Sequence, residues 1–375
     1  MDERMKFIAD ALTKHWSVAH LCRAYGMSRK TGYKWIARYE AEGWPGIRAH
    51  SRAPATCPHL TPAALQERVV QMRLQHPHWG PRKLLHRLGT VEPDTVWPAP
   101  STAGEILKRH GLVAKRRLRR RTPPAPQPLQ TARVPNAVWA TDFKGWFRTH
   151  EGTRIDPLTL SDLASRYLLR CQSLRGATYA LVQPVFVAAF REYGLPHAMR
   201  SDNGPPFASV GLGGLSQLAV WWIRLGIRPE RIQPGHPEQN GRHERLHRTL
   251  KQATAKPPCR TWRLQQRAFA AFRQDYNHVR PHEALGMQTP AACYTPSPRV
   301  FPRRLPEVEY PSGYQVRRVR SNGEIKWRGC RLFLSEALIG EPVGLQEVDQ
   351  DLWRIEFGPI PLALYQTCTQ QFSRL

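Results

Sequence analysis

The apolar positions change their period along the chain. Near the start they recur at helical spacing: Val18, Leu21 and Cys22, then Met27, Tyr33 and Ile36, face inward across a turn at Gly26, with Ser28 capping the second helix. Two short helices across so tight a turn predict a helix-turn-helix unit, leaving Arg29, Lys30 and Lys34 on a face that meets DNA. The plainer alternative is a helical hairpin with a solvated basic face. A second helical set runs from Pro62 through Leu65, Val69, Val70 and Met72 and continues over residues 82–88. After a proline-rich loop it resumes from Thr102 to His110, where Gly111 stops it, which predicts a second unit of the same kind.

From Val138 the period shortens to two. Residues 138–143 predict a strand ending in an acid, and 158–160 and 166–171 predict the next two. Helical spacing returns from Tyr179 to Tyr193, residues 197–201 make a fourth strand, and Asp202-Asn203-Gly204 forms a turn at its end. Leu218 to Leu225 is apolar, and from about Asn240 to Ala253 the chain reads as a strongly basic helix. Strands, helix, strand and helix in this order predict an α/β layer. The last 75 residues alternate between short apolar runs and turns such as Ser321-Asn322-Gly323, which predicts a small antiparallel β-barrel.

Charge narrows the partner. Lys and Arg total 56 against 29 Asp and Glu, a formal charge of +27, with the excess concentrated in the first two thirds. Such a field selects a polyanion. The longest apolar stretch, Ala180 to Phe190, is too short to span a bilayer, so nucleic acid is favoured over membrane. The start lacks a signal-peptide pattern, and the seven cysteines contain no CxxC pair, so the expectation is a cytoplasmic, nucleoid-associated protein with reduced, mostly buried thiols. The run Lys115, Arg116, Arg117, Arg119, Arg120 and Arg121 adds a phosphate-binding stretch, and too many prolines follow it for helix. The predicted organisation is multidomain α+β: helix-turn-helix units over 1–55 and 56–121, a linker over 122–134, a catalytic core with trailing helices over 135–295, and the barrel over 307–375.

Asp142, Asp202 and Glu244 are the candidate catalytic centre. Strand ends and a following helix bring distant residues together in an α/β layer, and a cluster of carboxylate oxygens suits two Mg²⁺ or Mn²⁺ ions acting on a phosphodiester. Arg248 and Lys251 lie at i+4 and i+7 from Glu244, on the face where phosphates would be held. The plainer reading is that two of the acids cap turns. His243-Glu244-Arg245-Leu246-His247 also satisfies HExxH, the zinc-protease pattern, but its arginine flanks oppose a cation, and His243 and His247 are expected at the helix surface or facing DNA.

Trp139-Ala140-Thr141-Asp142, Ser201-Asp202-Asn203-Gly204, the stretch from His236 through Lys251, and Tyr276-Asn277-His278-Val279-Arg280-Pro281-His282 together resemble insertion-sequence transposases of the DDE superfamily, which also holds the retroviral integrases. The resemblance covers roughly residues 10–295. It implies an RNase H-like integrase core, with Asp142 bridging two divalent metals and Asp202 and Glu244 completing one site each. It further implies DNA hydrolysis at element ends, strand transfer into target duplex, and a homo-oligomer on DNA. Residues 211–216 lengthen the interval between the second and third acids, which makes Glu238 a rival to Glu244. Glu244 is preferred because it sits inside the helix. A non-catalytic DNA-binding regulator, or a decayed transposase, is the alternative function.

Overall fold

A computed structural model describes residues 3–48, 60–113, 129, 132–233, 239 and 241–373. They form two compact units, divided after Pro62. The basic run at 115–121, most of the proline-rich linker and Glu238 lie outside the described residues.

In the first unit, α1 (Glu3–Leu12) packs on α2 (Val18–Ala24) and α3 (Arg29–Glu42). The side chains of Ser17 and Ser28 accept hydrogen bonds from the backbone N–H of His20 and Thr31, capping α2 and α3. Gly26 turns the chain between them at φ +60°. The helices touch at Gly32, where a Cβ would collide with Cys22 Sγ. That close approach sets the inward stripe of α3 at Gly32, Trp35, Ile36 and Tyr39, so Tyr33 is turned outward, against the inward placement its spacing suggested.

The second unit opens with α4 (Ala63–Gln75), α5 (Pro81–Val91) and α6 (Pro100–Arg109), closed over Val69, Leu84, Leu88, Ala103 and Leu107. A mixed sheet follows, made of β1 (Val138–Phe143), β2 (Phe147–Arg148), β3 (Arg154–Asp162), β4 (Leu168–Leu174), β5 (Ala198–Ser201) and β6 (Arg228–Arg231). β1, β3 and β4 pair antiparallel, while β5 joins β1, and β6 joins β5, in parallel. Parallel neighbours need a crossover, and α7 (Tyr179–Tyr193) and α8 (Gln217–Arg224) supply the two. Both cover the face bearing Trp139, Leu158, Leu160 and Met199. On the other face α9 (Gly241–Thr254) and α10 (Trp262–His278) pack through Leu246, Leu250, Phe269 and Phe272 against Ile155, Leu168 and Cys171. A short helix, α11 (Pro290–Cys293), ends this part.

The C-terminal residues form strands as expected, but they do not close. β10 (Pro342–Asp349), β11 (Leu352–Phe357), β12 (Ile360–Gln366) and β13 (Gln371–Ser373) extend β7 (Gln315–Arg318) into an open five-stranded antiparallel sheet. β8 (Glu324–Trp327) and β9 (Cys330–Phe333) pair only with each other. The hairpin instead lays Ile325, Trp327 and Leu332 over Leu345, Trp353, Ile355 and Tyr365, burying the sheet's apolar face without continuing its ladder. The barrel expectation is corrected accordingly. The thiol expectation also changes: all six described cysteines are free, yet only Cys22 and Cys171 are buried.

α8 is buried on two sides. Leu218, Trp221 and Trp222 enter the core of the mixed sheet, and Ala219, Val220 and Ile223 enter that of the C-terminal sheet, which explains why the segment is apolar all round. The glycine-rich loop before α8 belongs to the same junction: Gly213, at φ +66°, leaves no room for a Cβ beside Leu362 of β12. Trp222→Ala is expected to cost about 3–5 kcal/mol. In urea unfolding, the mixed sheet and the C-terminal sheet should lose stability in one shared transition. An unshifted transition for either sheet would contradict the junction.

Candidate functional site

β1 and β5 run in parallel with Val138 opposite Ala198 and Ala140 opposite Arg200. Extending that register by two residues puts Asp142 and Asp202 at neighbouring strand ends. Side chains alternate along a strand, so both acids belong to the face of Val138, Ala140 and Ala198, away from Trp139 and Met199. Asp142 is partly buried. Asp202 also makes the turn that its sequence suggested: Gly204 N–H donates to its Oδ1 at 3.2 Å. Burial raises the pKa of Asp202, and that hydrogen bond opposes the rise.

Glu244 lies in the first turn of α9, exposed to solvent. Arg248 and Lys251, on the same helix, are exposed as well. Among the described residues no group of three or more His, Cys, Asp or Glu side chains is gathered closely enough to hold a metal ion. The fold therefore brings two of the three predicted acids together and leaves the third on the helix packed over them. Arg29, Lys30 and Lys34 are exposed on α3. Asp162 is a loop brace: its Oδ1 accepts from Asn136 N–H, and its Oδ2 from the Ser165 N–H and hydroxyl.

The two histidines of the HExxH pattern are not at the surface. Both are buried, and their Nε2 atoms converge on one hydroxyl, Thr159 Oγ1, at 2.6 and 2.7 Å. Thr159 stands opposite Asp142 across the β1–β3 ladder. Its hydroxyl also lies 3.2 Å from the Asp142 carbonyl, so α9 is pinned to the strand that carries the acid. Helical spacing placed His243 and His247 on one face of α9, and that face is the one turned to the sheet. With both Nε2 atoms sharing a threonine hydroxyl and Glu244 exposed, the arrangement braces the helix rather than offering a zinc-protease centre. His247 Nδ1 is 3.7 Å from Asp142 Oδ2, but burial pushes the pKa of His247 down to about 2 and that of His243 to about 3, so both rings are neutral and this contact is not an ion pair.

Lys144 was not singled out by its sequence context. It follows β1 by one residue and lines a cavity of about 210 Å³ with Lys251. Burial lowers its pKa, the charge of Lys251 lowers it further, and Asp142 raises it. The signal that could have found it is a lysine two places beyond a strand-ending acid.

Residues 132–237 and 225–290 match the sequence family described as "Integrase core domain". Residues 3–55 match "Helix-turn-helix domain", and 31–107 match "Homeodomain-like domain". A 31.7 kDa protein of insertion element IS407 from Burkholderia multivorans is 27% identical over 272 residues, 72% of this chain and 87% of that one. A 39.2 kDa protein of insertion element IS476 from Xanthomonas euvesicatoria is 30% identical over 240 residues, 62% of this chain and 66% of that one. The chain is an insertion-sequence transposase with an integrase core. Its helix-turn-helix units make the transposase a DNA-binding protein, as its charge required. Among solved structures, a simian T-cell lymphotropic virus intasome chain aligns at 18% identity over 80% of the transposase and 98% of that chain, with a TM-score of 0.38. No described helix is long and apolar enough to cross a membrane.

The buried histidines set a pH dependence. In the unfolded chain an imidazole takes a proton below about pH 6.5, whereas in the fold these two stay neutral down to about 3 and about 2. The unfolded state thus binds more protons across that window, and stability falls as pH drops from about 6.5. Denaturant unfolding of metal-free protein should show this loss, and His247→Gln should have a shallower dependence. An identical slope in the variant would contradict the neutral, buried assignment.

Proposed function

We propose that this transposase cuts and joins DNA through Asp142, Asp202 and Glu244, acting with two Mg²⁺ or Mn²⁺ ions. The observation that carries the reading is the parallel pairing of β1 and β5, which supports a shared carboxylate site for Asp142 and Asp202 inside an integrase core. Their hard oxygen donors suit a divalent ion. Glu244 is preferred as the third acid because α9 is braced against Thr159, directly opposite Asp142. Bound there, the ions would activate an attacking oxygen and offset charge on the leaving one.

The chain's residues do the rest. Arg248 and Lys251 of α9, with Lys144, hold backbone phosphates beside the acids. In the first step water attacks a phosphorus at the element's end, the bond from phosphorus to the 3′-oxygen breaks, and that oxygen leaves protonated. In the second step the freed 3′-hydroxyl attacks a target phosphorus and loses its proton, the bond from that phosphorus to the target's 3′-oxygen breaks, and this oxygen leaves protonated. Arg29, Lys30 and Lys34, with Lys115, Arg116, Arg117, Arg119, Arg120 and Arg121, contact the duplex, supplying affinity and register. Paired ends call for a homo-oligomer assembled on DNA. The working domains are helix-turn-helix units over 1–55 and 56–121, the linker over 122–134, the core over 135–295 and the C-terminal sheet over 307–375.

Nicking and joining of labelled duplex from the gene's own flanks, with Mg²⁺ or Mn²⁺, tests this. Asp142→Asn, Asp202→Asn and Glu244→Gln should each lower cleavage by about 10²-fold or more, corresponding to several kcal/mol of transition-state stabilisation. Glu238→Gln should retain it. Wild-type protein that binds these flanks but cuts them with neither metal would replace the proposal with a DNA-binding regulator.

A further inference from the structure

Away from the acids, four separate segments of the second unit converge on a strongly basic cavity. α5 supplies Lys83, the β3–β4 turn supplies Arg166, α9 supplies Arg242 and Arg245, and the stretch after α10 supplies Arg280. The volume is about 440 Å³. Among the described residues Glu283 is the one carboxylate in the wall, and none of the five cations makes an ion pair. Arg242 donates one hydrogen bond, to the Leu163 carbonyl at 3.0 Å.

Five like charges held this close, offset in the described wall by Glu283 alone, destabilise the free protein. Burial pushes the pKa of Lys83 down to about 8, and Arg280 and Arg245 push in the same direction, with Glu283 opposing. The pKa of Arg166 is lowered by burial and by Arg242 and Arg245, with Tyr276 and Asp162 opposing. The wall also contains an unsatisfied atom. His282 Nε2 is buried with no hydrogen-bonding partner, and a buried polar atom of that kind calls for a polar occupant.

We propose that this cavity takes a phosphate of a DNA strand, held by Lys83, Arg166, Arg242, Arg245 and Arg280. Guanidinium groups match phosphate oxygens in pairs, which is why four of the five being arginine favours an oxyanion of this class. The volume lies in the range that holds a small organic ligand rather than a bare ion, so a phosphate with its flanking sugars fills it better than free phosphate. Arg242 and Arg245 sit on the helix that carries Glu244, so a strand gripped here is tied to the core, while Lys83 ties the same phosphate to the helical unit before it. The Tyr276 to His282 motif gains a role in this way, through Arg280 and His282.

The site rests on the DNA-binding part of the proposed function and not on the three acids. Its test therefore uses the full chain in EDTA, where no cutting occurs. Binding to flank duplex is measured across a salt series for wild type, Arg245→Gln, the pair Lys83→Gln/Arg280→Gln, and the control pair Arg317→Gln/Arg318→Gln on exposed β7. Loss of one phosphate contact should make the slope of log K against log salt shallower by about 0.9 in the cavity pair. Arg245→Gln, exposed on α9 and no threat to folding, should move the slope in the same direction. The control pair should leave it unchanged. In parallel, pyrophosphate is added and Tm followed. A slope in the cavity variants equal to that of wild type or of the control pair overturns the proposal. So does a rise in Tm with pyrophosphate that the cavity pair abolishes while its DNA slope stays at the wild-type value, since that assigns the cavity to a small polyphosphate. A failure of cleavage with the salt result intact would count against the acids alone.

Discussion

Parallel pairing between β1 and β5 is the constraint on which the proposed chemistry depends. Parallel strands cannot be joined by a hairpin, so the chain must leave the sheet after β4, cross its face as α7, and return beside β1. The same crossover brings Asp142 and Asp202, sixty residues apart in sequence, to adjacent ends on one sheet face. The pairing is held from behind by Trp139 and Met199, both fully buried against α7 and α8. A slip of one residue would turn the acids into that apolar core, where ionised carboxylates are not tolerated without partners.

The opposite face is organised by a polar contact instead. α9 reaches the sheet through Leu246 and Leu250, but its rotation about its own axis is fixed by His243 and His247 on Thr159. Two neutral imidazoles and one hydroxyl satisfy each other away from water, which buried polar groups require. With the inward side of the helix so occupied, its arginines are left to line a basic cavity and to face solvent. One helix thus joins a buried brace, a candidate acid and a basic surface.

Much of this was legible in the sequence, and the omissions have physical reasons. Period two marked β1, β3, β4 and β5, because a strand's alternation is set locally by burial on one face. The change of period at Tyr179 marked the crossover helix, and acids at strand ends marked two of the candidate residues. The C-terminal alternation also predicted strands correctly, but alternation specifies which side chains face inward and not whether edges meet, so the open sheet under its β8–β9 hairpin was read as a barrel. His243 and His247 were assigned to the surface because their partner, Thr159, is more than eighty positions away. Tyr33 was misplaced by one helical position because a glycine, not a large side chain, makes the contact between α2 and α3. The basic cavity was invisible for the same reason as the threonine: its members come from α5, a strand turn, α9 and the end of α10.

In the proposed centre Asp142 and Asp202 hold divalent ions together with Glu244. Mn²⁺ binding followed by electron paramagnetic resonance, on protein bound to uncut flank duplex at low temperature, tests it most directly. Wild-type protein should bind two ions per working site. Asp142→Asn should lose ions, with smaller losses in Asp202→Asn and Glu244→Gln. Unchanged Mn²⁺ stoichiometry and affinity in Asp142→Asn, with DNA still bound, would contradict it.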